Sequence, residues 1–415
     1  MTSSTALVGG ISSAGRALPL LDGAALQIDR SAGAYLWDDA GRRYVDTALG
    51  FGGTILGHAP EGVIAAVEKA LRDGPLPAFG HAREEAAAAA LAAQTGALSQ
   101  VVFTNSGSEA VHLACRIARA VTGRRRVAKI AAGYDGWYDE IAFGNAGTPE
   151  ADLARNSRPE QGDIVLLRYN DKADTEALFR DYPDIACVIA EPVLANAGCI
   201  LPAPGYLAHL QETARRHGAL FIMDEVLTGF RLHAGLTSHT MGLDPDMATV
   251  GKAIGSGIAV AGVLGKPAVM EALTDGRAIR AGTYSGNPIA CAGVIATMEA
   301  LKTADYPALL AAGAGLRTRI EARFNGLGMA AVTTGLNDVF TLWFTDQAPQ
   351  SYGDAARVAR PDLTLALHKA MRRHDALVMP SPYGRVYLSF AHLPKAVAEL
   401  GDSFDAAAAE LAQAA

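Results

Sequence analysis

The sequence predicts an α/β protein. A large domain on a mainly parallel, seven-stranded sheet is joined to a smaller α+β domain made from the N- and C-terminal segments. Three observations carry this. Short apolar runs alternate with helix-like stretches through residues 101–265, the pattern of βαβ units. After about Cys291 the pattern changes to long helices and few strands. The chain has 415 residues, more than one hydrophobic core usually supports. The expected divisions are 1–55 for an N-terminal arm and small strand unit, 56–290 for the large domain and 291–415 for the C-terminal α+β domain.

The elements follow in order. Gly9-Gly-Ile-Ser-Ser-Ala-Gly-Arg16 is rich in Gly and Ser and reads as a loop. Residues 35–45 read as a hairpin turning at Asp39-Ala-Gly41. Residues 61–72 have helical spacing, with Val63, Ala66, Val67, Ala70 and Leu71 on one face. The Ala-rich stretch 83–97 is a helix by propensity. Seven strands are expected at 101–104, 127–130, 163–167, 186–190, 219–223, 248–250 and 259–264. Helices are expected at 106–121 and at 204–217, the latter opened by Pro204 and closed by Gly218. Residues 143–162 are polar, with little periodicity. A loop of that length in a compact domain is usually functional or disordered. Beyond it, helices are expected at 292–302, 306–325 and 395–414, and strands at 340–344 and 386–390. A helix near 288–303 links the two parts.

Composition narrows the function. Half the residues are apolar and the formal net charge is −7, which argues against a nucleic-acid partner. The basic run Arg124-Arg-Arg126 reads as a solvated turn. Cys115, Cys187, Cys199 and Cys291 show no metal spacing, so no metal is expected and they read as reduced core residues. The N-terminus lacks the charged and apolar regions of a signal peptide, and a cytoplasmic location is expected. The apolar window 247–265 holds Lys252 and five glycines, so it reads as strand, turn and strand and not as a membrane span.

The chemistry centres on Asp224 and Lys252, an acid at one strand end and a lysine at another. Pyridoxal phosphate (PLP) needs a lysine to form a Schiff base with its aldehyde. It also needs a carboxylate that keeps its ring nitrogen protonated, so that the ring acts as an electron sink. Burial would strengthen the Asp224 ion pair, and desolvation would lower the Lys252 pKa toward the reactive amine. Glu225 falls on the opposite side of the strand and has no assigned role, while Val226 returns to the Asp224 side. Arg231 is expected to be structural, with Glu225 as its partner. Ser106-Gly-Ser108 lies between a strand end and a helix start. It reads either as a phosphate cup or as an ordinary Ser N-cap. Glu191 ends an apolar strand at the sheet edge where ligands bind in open α/β sheets.

Five stretches stand in sequence order. They are Thr104-Asn-Ser-Gly-Ser-Glu109, Glu191-Pro-Val-Leu-Ala-Asn196, Asp224-Glu-Val-Leu-Thr-Gly-Phe-Arg231, Thr249-Val-Gly-Lys-Ala253 and Gly282-Thr-Tyr-Ser-Gly-Asn-Pro288. Together they resemble the class III aminotransferases of PLP fold type I, most closely the glutamate-1-semialdehyde aminomutase branch. The resemblance spans about residues 9–392. It implies that Ser106, Gly107 and Ser108 hold the PLP phosphate and that Tyr134 stacks on the ring; strand alternation puts Val226 on the side where it would pack under that ring. It further implies that Asn196 lies near the phenolic oxygen and that Thr283 reaches the phosphate of a neighbouring subunit's PLP, in a homodimer. The family usually has a His after the stacking aromatic, where this chain has Asp135.

On the substrate side, Arg16 matches an arginine that binds a substrate carboxylate, a task that suits the guanidinium fork. The aminomutase branch carries a glutamate where this chain has Gly384, and Arg385 follows. Arg385 either recognises a second anionic or polar group or, by strand alternation, points away. The implied activity moves an amino group between a carboxylate-bearing donor (an α-, β- or ω-amino acid) and an oxo acid or aldehyde. The route runs through a Lys252 Schiff base and pyridoxamine phosphate. The alternative is glutamate-1-semialdehyde 2,1-aminomutase of tetrapyrrole biosynthesis. Arg16, Asn196 and a gating loop at 153–162 favour it, and Asp135 and Gly384 count against it. A non-catalytic PLP-binding protein is a third reading, which the intact Asp224, Lys252 and Thr283 oppose.

Overall fold

The computed structural model describes residues 6–152 and 158–414. Part of the proposed gating loop, 153–157, lies outside the described residues. Three short strands come first: β1 (Ile28–Ala32), β2 (Tyr35–Asp38) and β3 (Arg43–Asp46). The β2–β3 hairpin turns where expected, with Gly41 at φ +81°, a conformation that favours glycine.

The central sheet holds β4 (Gln100–Thr104), β5 (Arg126–Ile130), β6 (Glu160–Gln161), β7 (Ile164–Leu167), β8 (Ile185–Ala190), β9 (Leu220–Glu225), β10 (Met247–Val250) and β11 (Ala261–Gly265). Their order is β4-β11-β10-β9-β8-β5-β7-β6. The five strands from β10 to β7 run parallel, β11 is antiparallel to both β10 and β4, and β6 is antiparallel to β7. The seven expected strands are present, and the two-residue β6 is an eighth. A strand that short leaves no periodicity to read.

Side chains alternate between the two faces of this sheet. Val127, Ile189, Ile222 and Val263 pack against the helix Gly107–Thr122. Ala128, Val188, Phe221 and Ala248 join the opposite cluster, with Leu207, Leu210 and Ala214 of the helix Tyr206–Arg216. Because both faces are covered, every residue of β8 is buried, which explains its unbroken apolar run.

The C-terminal segment adds β12 (Val332–Gly335), β13 (Val339–Trp343), β14 (Ala376–Leu377) and β15 (Val386–Tyr387). One sheet has the order β1-β2-β3-β14, so a C-terminal strand completes the N-terminal unit. Another is β12-β13-β15. Two expectations are corrected. The Ala-rich helix covers Ala82–Ala92 and does not reach 97, because Thr95 Oγ1 takes up the Leu91 and Leu98 carbonyls and Gly96 turns at φ +57°. The strand expected at 386–390 is Val386–Tyr387 only, and Phe390–His392 forms a 3-10 turn around the Ser389–His392 contact. The run Arg124–Arg126 is not simply solvated. Arg124 donates to the Ile185 and His217 carbonyls, Arg125 pairs with Asp163 and Arg126 with Asp184.

Candidate active site

The parallel strands end on a common edge, where the last residues of β9 and the segments that follow β4, β5, β8 and β10 carry the chemistry-bearing side chains. A cavity of about 780 Å³ opens there. Its walls include Ser106, Gly107, Ser108, Tyr134, Asp224, Val226 and Lys252, seven of the residues singled out from sequence.

Asp224 is 4% exposed. Its Oδ1 accepts hydrogen bonds from Val226 N at 3.0 Å and Thr249 Oγ1 at 2.9 Å. Burial raises its pKa, while those two donors and Lys252 pull it down. Thr249 faces Asp224 because β9 and β10 pair in that register. The sequence reading missed Thr249, since register is invisible in one strand alone.

Lys252 opens the 3-10 turn Lys252–Gly255 at φ +44°, a left-handed value that is strained for a residue with a Cβ. The turn aims the lysine into the cavity that Asp224 also lines. Burial lowers its pKa to about 8, against the opposing pull of Asp224.

The structure shows Ser106 as an N-cap. Its Oγ accepts from Glu109 N at 3.3 Å, and Glu109 Oε2 accepts from Asn105 N and Ser106 N, a capping box. The N–H groups of Gly107 and Ser108, in the first helical turn, lack intrahelical acceptors. They lie on the cavity wall, where the helix dipole favours an anion. A Cβ on Gly107 would stand 2.9 Å from Val226 Cγ1, so this close approach requires glycine.

Tyr134 is 43% exposed and lies on the cavity wall. Its N–H donates to Glu191 Oε1 at 3.0 Å, and Glu191 Oε2 accepts from Ala195 N at 3.3 Å. Glu191 therefore ties two loops together from behind and is not on the wall. Burial and the Asp224 charge push its carboxyl up to about 7.

A second cavity, of about 550 Å³, meets the first at Tyr134 and Lys252. Asn196 and Arg385 line it, so Arg385 points inward. The Arg385 guanidinium donates to Tyr387 Oη at 2.6 Å, to the Ala195 carbonyl at 3.2 Å and to Asn196 Oδ1. Ser13 and Gly15 line the same cavity, while Arg16 beside them is exposed and lines neither. Thr283 is also exposed and lines neither cavity of its own chain.

Arg231 is structural, with a different partner from the one expected. It pairs with Asp338 at 2.6 Å and donates to the Leu388 carbonyl at 2.7 Å. Glu225 instead accepts the N–H groups of Thr237 and Ser238. Sequence separation hid the Asp338 partner, 107 residues away. All four cysteines are free and buried. Among the described residues no group of His, Cys, Asp and Glu side chains is arranged to hold a metal ion, and no helix is long and apolar enough to cross a membrane.

A family model described as Aminotransferase class-III matches residues 21–325. The chain is 35% identical over 402 residues to the glutamate-1-semialdehyde 2,1-aminomutase of Nitratidesulfovibrio vulgaris (strain DSM 19637 / Miyazaki F), covering 95% of this chain and 94% of that protein. It is similar in structure to an omega-transaminase from Sphaerobacter thermophilus, with TM-score 0.85 and 28% identity over 94% of this chain and 91% of that one. A beta-phenylalanine aminotransferase from Variovorax paradoxus superposes with TM-score 0.82 and 28% identity, over 92% and 86% of the two chains.

Proposed function

The chain belongs to the class III aminotransferases, and from that premise we propose that it moves amino groups with PLP bound in the larger cavity. One observation carries the reading. A lysine with a lowered pKa, a buried carboxylate and an unpaired helix N-terminus line one cavity. These residues fit PLP. The N–H groups of Gly107 and Ser108 would hold the phosphate, Asp224 the ring nitrogen and Lys252 the aldehyde carbon, with Tyr134 and Val226 against the ring. When bound, PLP supplies an aldehyde that condenses with amines and an electron-poor ring that accepts the electron pair left by a departing proton.

The chain's own residues do the rest. Asp224, fixed by Val226 N and Thr249, presents a carboxylate whose orientation does not drift. Lys252, its pKa lowered by burial to about 8 and so more readily deprotonated than an ordinary lysine, would act as the base that takes the proton from the donor carbon and hands it to the carbon that was the cofactor's aldehyde. The missing Cβ atoms of Gly107 and Gly251 leave room for the Val226 side chain in the wall.

The donor is a carboxylate-bearing amine, an α-, β- or ω-amino acid, and the acceptor an oxo acid or aldehyde. The second cavity supports this, because it begins at Lys252 and holds the Arg385 guanidinium. Arg16, in the exposed N-terminal arm, is the proposed carboxylate partner, and Arg385 the group for a second anionic or polar end. A homodimer is proposed in which Thr283, exposed on its own chain, reaches the other subunit's cofactor phosphate. A cytoplasmic location is proposed from the four free thiols. The division at residues 55 and 290 stands as a proposal.

Glutamate-1-semialdehyde 2,1-aminomutase is the second reading, favoured by the 35% identity to such an enzyme. Gly384 opposes it. A Cβ there would meet Ser381 O at 2.7 Å and Met379 O at 2.9 Å, so this backbone has no room for the glutamate of the resembling branch.

A half-reaction assay separates the readings. The PLP-loaded protein is mixed with α-, β- and ω-amino acids, simple amines and glutamate-1-semialdehyde, and its visible band is followed. Bleaching by carboxylate-bearing donors generally is the expected result. Bleaching by glutamate-1-semialdehyde alone would move the assignment to the aminomutase, and a protein that bleaches with no amine would overturn both.

A further inference from the structure

Asp135 stands where the resembling family has a histidine, and its surroundings are unusual. It is 2% exposed and lies on the wall of the larger cavity with Asp224. Its carboxyl is within hydrogen-bonding reach of the Asp224 carboxyl. Among the described residues, neither Asp135 oxygen receives a hydrogen bond from any donor. Asp224 Oδ1, by contrast, accepts two.

The nearest cation is the buried Lys129. Its Nζ is 3.8 Å from Asp135 Oδ2, an ion-pair distance and not a hydrogen bond. Nζ donates instead to Ile141 O at 2.5 Å, Phe143 O at 3.3 Å and Asn145 Oδ1. Three acceptors match the three N–H bonds of an ammonium and leave none for Asp135. Asn145 Nδ2 donates onward to Gly136 O at 3.0 Å, so this lysine fixes the turn that carries Tyr134 and Asp135.

Two buried carboxyls in contact cannot both be ionised without a large cost. The proton belongs on the one with no donors, and the charge on the one with two. Burial raises Asp135 well above the carboxylate range. Lys129 opposes this, while Asp224, Glu191 and Cys115 reinforce it.

We propose that Asp135 is a positioning residue, a neutral carboxylic acid that donates a hydrogen bond to Asp224 and so fixes that carboxylate, charged, against the ring nitrogen of the cofactor. This rests on the reading that PLP binds in the larger cavity. The donor is a carboxyl O–H that works only while it keeps its proton.

The test compares Asp135→Asn with Asp135→Ala. Asn keeps a donor and cannot ionise, whereas Ala keeps neither. The readouts are the PLP dissociation constant of the apo-protein, the pH dependence of the visible band after loading, and the infrared stretch of a protonated carboxyl. Asp135→Asn should bind PLP within about threefold of wild type, and the change in the visible band that loss of the Asp135 proton produces at high pH in wild type should be missing from it. Asp135→Ala should bind about tenfold or more weakly, the range for a hydrogen bond to a charged group. The wild-type minus Asp135→Asn difference spectrum should contain a protonated-carboxyl stretch, since Glu191 and Glu225 contribute equally to both proteins. If Asp135→Asn is as weak as Asp135→Ala, or the difference spectrum shows no protonated-carboxyl stretch, the neutral-donor role is wrong. Near-UV circular dichroism checks that the apo variants fold. Should Asp135→Ala fail to, the infrared band and the isosteric Asn variant still decide. Wild type that binds no PLP would overturn the cofactor reading itself, a separate outcome.

Discussion

Gly107→Ala isolates the close contact on which the phosphate cup depends. A Cβ at 107 would lie 2.9 Å from Val226 Cγ1 and 3.1 Å from Cγ2, inside the ~3.5–4.0 Å of an ordinary carbon contact. Two effects oppose each other. Alanine is favoured over glycine in a helix by up to about 1 kcal/mol. That gain is reduced at the first helical position, where the N–H groups make no intrahelical bonds. Overpacking costs about 1–3 kcal/mol, so the clash wins. It is relieved only if Val226 moves into the cavity or the helix start moves away, and both displace groups assigned to the cofactor. PLP affinity should fall roughly 5- to 150-fold, while the apo-protein's melting temperature moves by a few degrees at most. Val226→Ala removes both clashing methyls and leaves Cβ at 3.5 Å. Gly107→Ala in that background should therefore bind PLP nearly as well as Val226→Ala alone. The assay is an absorbance titration of the four apo-proteins with PLP, read as a double-mutant cycle. An equal penalty in both backgrounds would refute the steric account.

Four further outcomes are expected. Lys252→Ala should abolish turnover and the Schiff-base absorption band while retaining some PLP, as the free aldehyde, through the phosphate cup, and a variant that still transaminates at the wild-type rate would sink the assignment. Lys252 also sets a pH dependence: its pKa is about 8 in the fold and 10.5 as a free side chain. Between those values the unfolded chain binds more protons, so apo-protein stability should rise with pH from about 8 to 10.5 relative to Lys252→Met. Melting curves of the two proteins across that window test the sign. Thr249→Val removes one of two hydrogen bonds to Asp224 Oδ1 and should weaken PLP binding by about 1 kcal/mol, roughly fivefold. Arg16→Ala should raise KM for carboxylate donors with little change in kcat. An unchanged KM, set against a raised one for Arg385→Ala, would transfer the carboxylate to Arg385.

Local signals determined much of this protein. The buried run of β8 and the alternation through residues 101–265 revealed the sheet, because a strand covered on both faces must be apolar throughout. Asp224 and Lys252 were legible because each ends a strand on the edge where ligands collect. What the sequence could not reveal is what depends on partners distant in the chain. Arg231 meets Asp338 and not the nearby Glu225, since only packing brings those segments together. Thr249 reaches Asp224 through the register of two parallel strands. The inward aim of Arg385 follows from where β15 begins, against the Asn196 loop, which alternation alone left open. Asp135 read as a simple departure from a pattern. Its burial between Lys129 and Asp224 exists only in three dimensions, where electrostatics depends on distance and exclusion of water and not on order along the chain.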